Sequence, residues 1–292
     1  MEPRPPLAAR RCVSRRRLGA AAGLLAARWV LPEPWAATAE AVSPPPAAAA
    51  DTADTVDQKG LRALFGSENR VIRTRERMVA VTFNAAWNDN GLDRILTELA
   101  RRHTPATFFL TGDFADRHPA VVQRIAAAGH GLGNHSYSHP HFANVTAAVR
   151  RREVRTADRA LRAAGAGTAL TPFFRFPYSE TSPAHIREVN RLGFADIEYT
   201  TDTNGWKGTE GGMSVDHAVR RALDALRPGA ILQMHVGASQ GRTEVIDAQA
   251  LPRILDAITA RGHRAIDLRA LLAPRVHSPS TADRSRGFST LR

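Results

Sequence analysis

Cysteine is nearly missing from this chain: Cys12 is the only one in 292 residues, so no disulfide can cross-link the fold within one molecule. Lysine is almost as rare. Lys59 and Lys207 stand alone among 40 basic residues, so arginine carries most of a net charge of +12. Aromatic residues reach 6%, and the arginines are scattered over helical patterns instead of interleaving with aromatic side chains, so no nucleic-acid partner is expected. Residues 1–41 hold seven Arg and three Glu, which leaves +8 for the remainder. Such a charge suits an anionic cell wall or membrane surface without selecting either. Long apolar runs are lacking too. The mildly apolar run 18–27 is ended by Arg28, well short of the ~20 residues that span a bilayer, so stable membrane insertion is not expected. No G-x-G-x-x-G turn or phosphate loop follows the first predicted strand, which removes the nucleotide-binding classes that depend on one.

What is present begins with Arg10, Arg11 and the string Ser14-Arg15-Arg16-Arg17-Leu18, a basic region before the short apolar run. Small-residue sites suited to cleavage follow at Ala37-Thr38-Ala39 and Ala39-Glu40-Ala41. Residues 1–41 therefore resemble a twin-arginine-type signal peptide, and the expected destination is secreted or cell-wall associated. Cys12 follows arginines and no apolar lipobox, so lipid attachment is not expected. Residues 42–70 read as a Pro/Ala-rich linker, 71–272 as a single folded domain, and the polar, Pro-containing 273–292 as a disordered tail.

Within the domain, short apolar runs alternate with helical patterns. Strands are predicted at 78–83, 106–110, 131–135, 173–176, 195–199, 230–235 and 264–268. Helices are predicted near 91–103, 118–128, 144–164, 183–192, 214–226 and 248–261. Pro119, Pro183 and Pro252 fall near predicted helix starts, where a missing N–H costs little. Gly129, Gly193 and Gly262 follow predicted helix ends, where a left-handed residue is favoured. Strand and helix in alternation indicate a parallel α/β architecture, with a barrel preferred over an open sheet.

In a parallel barrel the C-terminal strand ends converge on one mouth. Here those ends carry Asn84 and Trp87, then His135 and His139, then Arg175 and Tyr178, then Asp202 and Trp206, then His235. His135 and His139 lie four apart, so on one helical turn their imidazoles would share a face and bind one divalent ion such as Zn2+.

These motifs resemble the polysaccharide deacetylases of carbohydrate esterase family four, also called the NodB-homology domain. His135-Ser136-x-x-His139, Arg175-x-Pro177-Tyr178 and Leu232-x-Met234-His235 stand in the family's order, and the likeness runs over roughly 76–272. The resemblance implies a distorted (β/α)7 barrel and metal-dependent removal of N-acetyl groups from peptidoglycan or chitin-like polymer, or of O-acetyl groups from xylan. It makes His135 and His139 metal ligands and His235 the general acid. Arg175 would orient the base, Asp202 would pair with His235, and Tyr178 and Trp206 would line the sugar groove.

The first motif departs from the pattern. The family's Thr-Phe-Asp-Asp-Gly supplies a base and a metal ligand, where this chain has Asn84 and Ala85. An amide cannot take up a proton near neutral pH. Gly205 likewise replaces a usual Asp in the fourth motif, and Asp89 is the nearest carboxylate that could compensate for Asn84. Two functions fit the pattern: a metal-dependent deacetylase, or a catalytically impaired, carbohydrate-binding relative that has lost its base.

Overall fold

The computed structural model of the protein describes residues 58–238 and 242–272, all within the unit Thr52–Arg292. The expected signal peptide, residues 42–57 of the expected linker and the expected tail lie outside the described residues. Eight strands form one sheet: β1 (Met78–Ala85), β2 (Thr107–Leu110), β3 (Gly131–Asn134), β4 (Leu170–Phe174), β5 (Ala195–Asp196), β6 (Thr201–Asp202), β7 (Ala230–His235) and β8 (Arg264–Ile266). The helices are α1 (Gln58–Ala63), α2 (Leu92–Arg101), α3 (Gly112–Arg117), α4 (Pro119–Ala127), α5 (Ala147–Ala163), α6 (Pro183–Arg191), α7 (Val215–Asp224) and α8 (Ile246–Ala260). None of these helices is long and apolar enough to cross a membrane.

Every strand pair is parallel, in the order β5-β4-β3-β2-β1-β7-β6. On one edge β1 pairs with β7, and on the other β8 takes Met78–Ala80 while β2 takes Thr82 to Ala85. The predicted strand at 195–199 is regular only over β5, because the chain then changes partner and rejoins the sheet as β6, beyond the predicted end. Ile197 N still donates to Phe174 O, at 2.8 Å, whereas Thr200 N donates to Ile231 O on the far side, also at 2.8 Å. One interrupted strand thus joins the two ends of the sheet and makes the curled (β/α)7 half-barrel.

The period-2 alternation of the strands sorts the core. Along β1, Val79, Val81 and Phe83 pack outward against the helix layer with Ile95, Leu251 and Ile254, while Ala80 belongs to an inner cluster with Phe109, Phe173, Ile231 and Ile266. Gly133 leaves the inner face open for the Phe109 ring, which a Cβ there would meet at 2.6 Å. Continuing the inner rows to the strand ends brings in Asn84, His135, Arg175 and His235.

Other differences from the sequence expectation include α3, which lies outside every predicted helix, and three more. The linker assigned to 42–70 is too long: α1 forms within it, Leu61 is buried, and the Asn69 side chain donates to Asp196 O at 2.8 Å. Helix α8 starts at Ile246, so Pro252 lies inside it instead of near its start. Residues 135–139 are not helical. Ser136 (φ 65) and His139 (φ 57) are left-handed, so a turn brings the two imidazoles together, not a helical face. The glycines expected to end helices do so, with Gly129, Gly193 and Gly262 at φ 81, 90 and 69.

Candidate active site

The mouth holds a cavity of about 270 Å³ lined by the predicted Asn84, His135, His139, Tyr178, Asp202, Trp206 and His235, joined by Trp87, Tyr199 and Gln233. Arg175 lies directly beneath it, 1% exposed, with its guanidinium 4.0 Å over the Phe109 ring. Its donors go to neutral oxygens: Nε to Ile197 O at 2.9 Å, Nη1 to Thr82 Oγ1 and Asn84 Oδ1 at 3.0 Å each, and Nη2 to Glu198 O at 3.3 Å. Burial pulls its pKa down to about 10, against the opposing pull of the nearby Glu198 carboxylate. A cation so placed is suited to an anion at position 84 and meets an amide instead.

Asn84 is fixed at both ends. Its oxygen is taken by Arg175, and its Nδ2 donates to Gln233 Oε1 at 3.1 Å and faces His135 Nε2 at 3.3 Å. Gln233 Nε2 in turn donates to Asp202 Oδ2 at 3.0 Å. His135 Nδ1 lies 2.8 Å from Arg175 O, which can only accept, so the proton is on Nδ1 and the Nε2 lone pair faces the cavity. The His139 ring centroid is 4.8 Å from that of His135, and its buried Nδ1 has no hydrogen-bond partner. Burial holds His135 well below the ordinary histidine range and lowers His139 to about 4, so both are neutral at pH 7.

Two neutral imidazoles with available lone pairs suit a borderline divalent ion such as Zn2+. They are not joined by a carboxylate: among the described residues no group of three or more His, Cys, Asp or Glu is arranged to hold a metal, and Ala85 is buried on the helix side of β1. Asp89 does not compensate. It is absent from the cavity lining and lies 3.9 Å from His118.

His235 faces two carboxylates, with Nδ1 at 3.4 Å from Asp247 Oδ2 and 3.8 Å from Asp202 Oδ1. Burial disfavours its charged form, but Asp202 and Asp247 outweigh it and raise the pKa above the usual value. Exposed Trp87 and Tyr178 flank His139, with ring centroids at 5.6 and 4.6 Å, and Trp206 lies 6.2 Å from His235. Such a rim suits the apolar face of a sugar. Sequence reading missed Gln233, which the period-2 step back from His235 would have found. It also missed Asp247.

Metal-free protein should lose stability as pH falls from about 6.5 towards 4. The unfolded chain binds protons there that neutral His139 refuses, so protonation favours unfolding. The His139 share is at most about 3 kcal/mol. Urea unfolding at pH 7 and pH 4.5 should show a smaller loss in His139→Gln than in the wild type; equal losses would contradict the assignment.

Residues 72–197 match the model of a family described as polysaccharide deacetylase. The chain is 30% identical to the peptidoglycan-N-acetylglucosamine deacetylase of Bacillus cereus over 197 residues, 66% of this chain and 67% of that one. It is 31% identical to the chitooligosaccharide deacetylase of a Bradyrhizobium species over 194 residues, 64% of this chain and 86% of the relative. Among solved structures, a similar fold occurs in a mutant of a Bacillus anthracis protein described as a carbohydrate esterase family 4 pseudoenzyme with restored enzymatic activity. That likeness has a TM-score of 0.62 at 25% identity and covers 70% of each chain.

Proposed function

The chain belongs to the polysaccharide deacetylase family, and from that premise we propose that it binds acetylated aminosugar polymer at the barrel mouth, with hydrolysis of the acetyl groups held back by the amide at position 84. The observation that carries this reading is the bonding of Asn84. Arg175 holds its oxygen at 3.0 Å, and its Nδ2 points at His135 Nε2, so the side chain is a fixed, neutral donor where a proton acceptor is needed.

The rest of the machinery supports a deacetylation site. His135 and His139 would hold a divalent ion, which when bound polarises the acetyl carbonyl and activates water. His235, whose charged form is favoured by its two carboxylates, would give a proton to the departing amine. Trp87, Tyr178 and Trp206 would seat the sugar rings. The alternative, an efficient deacetylase as it stands, needs a carboxylate beside His135. Asp202 is the only one among the described lining residues, and it accepts from Gln233 Nε2 and Asn204 N on the His235 side.

Peptidoglycan or a chitin-like chain is the proposed polymer. With residues 1–41 as an export signal, the protein would meet it at the cell wall or outside the cell. Acetate release from acetylated chitooligosaccharide and from peptidoglycan, with Zn2+, Co2+ or Mn2+ added, tests the reading. We expect release near background on both. Turnover of ~1 s⁻¹ or more, ordinary for an enzyme, would overturn the claim that position 84 limits the reaction.

A further inference from the structure

We propose that Asp247, at the start of α8, is the residue that positions His235, a role the sequence motifs give to Asp202. This inference rests on the reading of His235 as the proton donor, and it extends that reading to a side chain outside every motif.

Asp247 is fully buried, and its carboxylate is held from two sides. Oδ1 accepts from the Thr203 hydroxyl at 2.6 Å, and Oδ2 accepts from the His235 backbone N–H at 2.8 Å. The same Oδ2 lies 3.4 Å from His235 Nδ1, closer than Asp202 Oδ1 at 3.8 Å. Asp202 is also divided among other donors, since its oxygens take Asn204 N and Gln233 Nε2. Asp247 is therefore both the nearer and the more deeply buried partner. His235 Nδ1 makes no hydrogen bond here, so Asp247 acts on the ring through its nearby charge and through the His235 backbone N–H that it anchors.

Gly205 explains how this carboxylate fits. A Cβ at position 205 would lie 2.2, 2.4 and 2.7 Å from the Asp247 Oδ1, Cγ and Oδ2 atoms. The two cannot coexist without displacement. Position 205 is where the family pattern carries an acidic residue, and here it is reduced to hydrogen while an acidic residue arrives from α8 in the same space. The missing acid of the fourth motif is thus returned from another element, a replacement that reading along the motif cannot detect.

The charged groups facing His235 are Asp202 from β6, Asp247 from α8 and Arg175 beyond the end of β4. The test follows the His235 ring by ¹⁵N NMR as a function of pH in wild type, Asp247→Asn and Asp202→Asn. In Asp247→Asn the His235 pKa should fall towards the ordinary histidine value, by more than in Asp202→Asn, with the remaining spectrum preserved. Should Asp247→Asn fail to fold, Gly205→Ala displaces the carboxylate from the opposite side and should move the ring in the same direction. A His235 titration unchanged in Asp247→Asn or Gly205→Ala, or one moved more by Asp202→Asn, overturns the proposal. A second arm adds Asp247→Asn to Asn84→Asp, where kcat should drop at least ~10-fold with KM little changed. An equal kcat would overturn the positioning role. Should Asn84→Asp show no turnover, the proposed function fails, while the NMR arm still decides the role of Asp247.

Discussion

Asn84→Asp should raise acetate release from acetylated aminosugar at least ~10-fold, towards the ~10²–10⁴ that a general base contributes. The substitution is nearly isosteric, so the buried packing around β1 should hold and a change in rate can be read as chemistry. One carboxylate oxygen would inherit the 3.0 Å contact with Arg175 Nη1, and the buried guanidinium would favour its ionised form. The other would face His135 Nε2 and Gln233 Oε1, both acceptors, where Asn84 now offers an N–H. A cation between them relieves that conflict, so the variant should also retain divalent ion more tightly. Adding Arg175→Lys should remove the gain, because a single ammonium cannot reach Ile197 O, Thr82 Oγ1 and position 84 together. An unchanged rate in Asn84→Asp with ion bound would mean that the base is not the missing part.

His135→Ala should reduce divalent-ion affinity by at least ~100-fold, more than the 10–100-fold typical of losing an outer-shell partner. His135 is the better fixed of the two donors, with its ring anchored through Nδ1 to Arg175 O at 2.8 Å. Its low pKa keeps the nitrogen free of protons, so binding need not compete with protonation at pH 7. His139→Ala should act in the same direction. Wild-type affinity should already be modest, since Ala85 offers no donor and water must fill the other positions. Elemental analysis after gel filtration should find up to one ion per chain in wild type and none in either variant. Equal metal content in all three would remove the two histidines from the site.

The barrel was legible because short runs such as Met78–Ala85 and Ala230–His235 are mostly apolar and carry polar residues at or just beyond their C-terminal ends. Asn84, His135 and His235 follow the inner rows Ala80-Thr82, Gly131-Gly133 and Ile231-Gln233, so sequence periodicity already aims them at one mouth. The family motifs added roles that periodicity cannot assign. The 135–139 turn was misread because a four-residue spacing of histidines suits a helix equally well, and left-handed Ser136 and His139 carry no sequence mark. Helix α1 was hidden because its single buried side chain, Leu61, makes no periodic pattern in six residues. Asp247 was invisible for a different reason. It belongs to a helix start and reaches the site only through the space at Gly205, a fit that exists in three dimensions alone.

The most direct test of the account is ligand binding by the unaltered protein, followed by NMR or calorimetry with acetylated chitooligosaccharide and its fully deacetylated counterpart. The account predicts that the acetylated ligand binds without being consumed, with shifts at Asn84, Tyr178, Trp206 and His235, and that the deacetylated ligand binds more weakly. Asn84→Asp should bind the acetylated ligand with similar affinity and then release acetate. No binding by wild type, or binding that leaves the signals of those four residues unmoved, would contradict the claim that this cavity is a polysaccharide site whose base is missing.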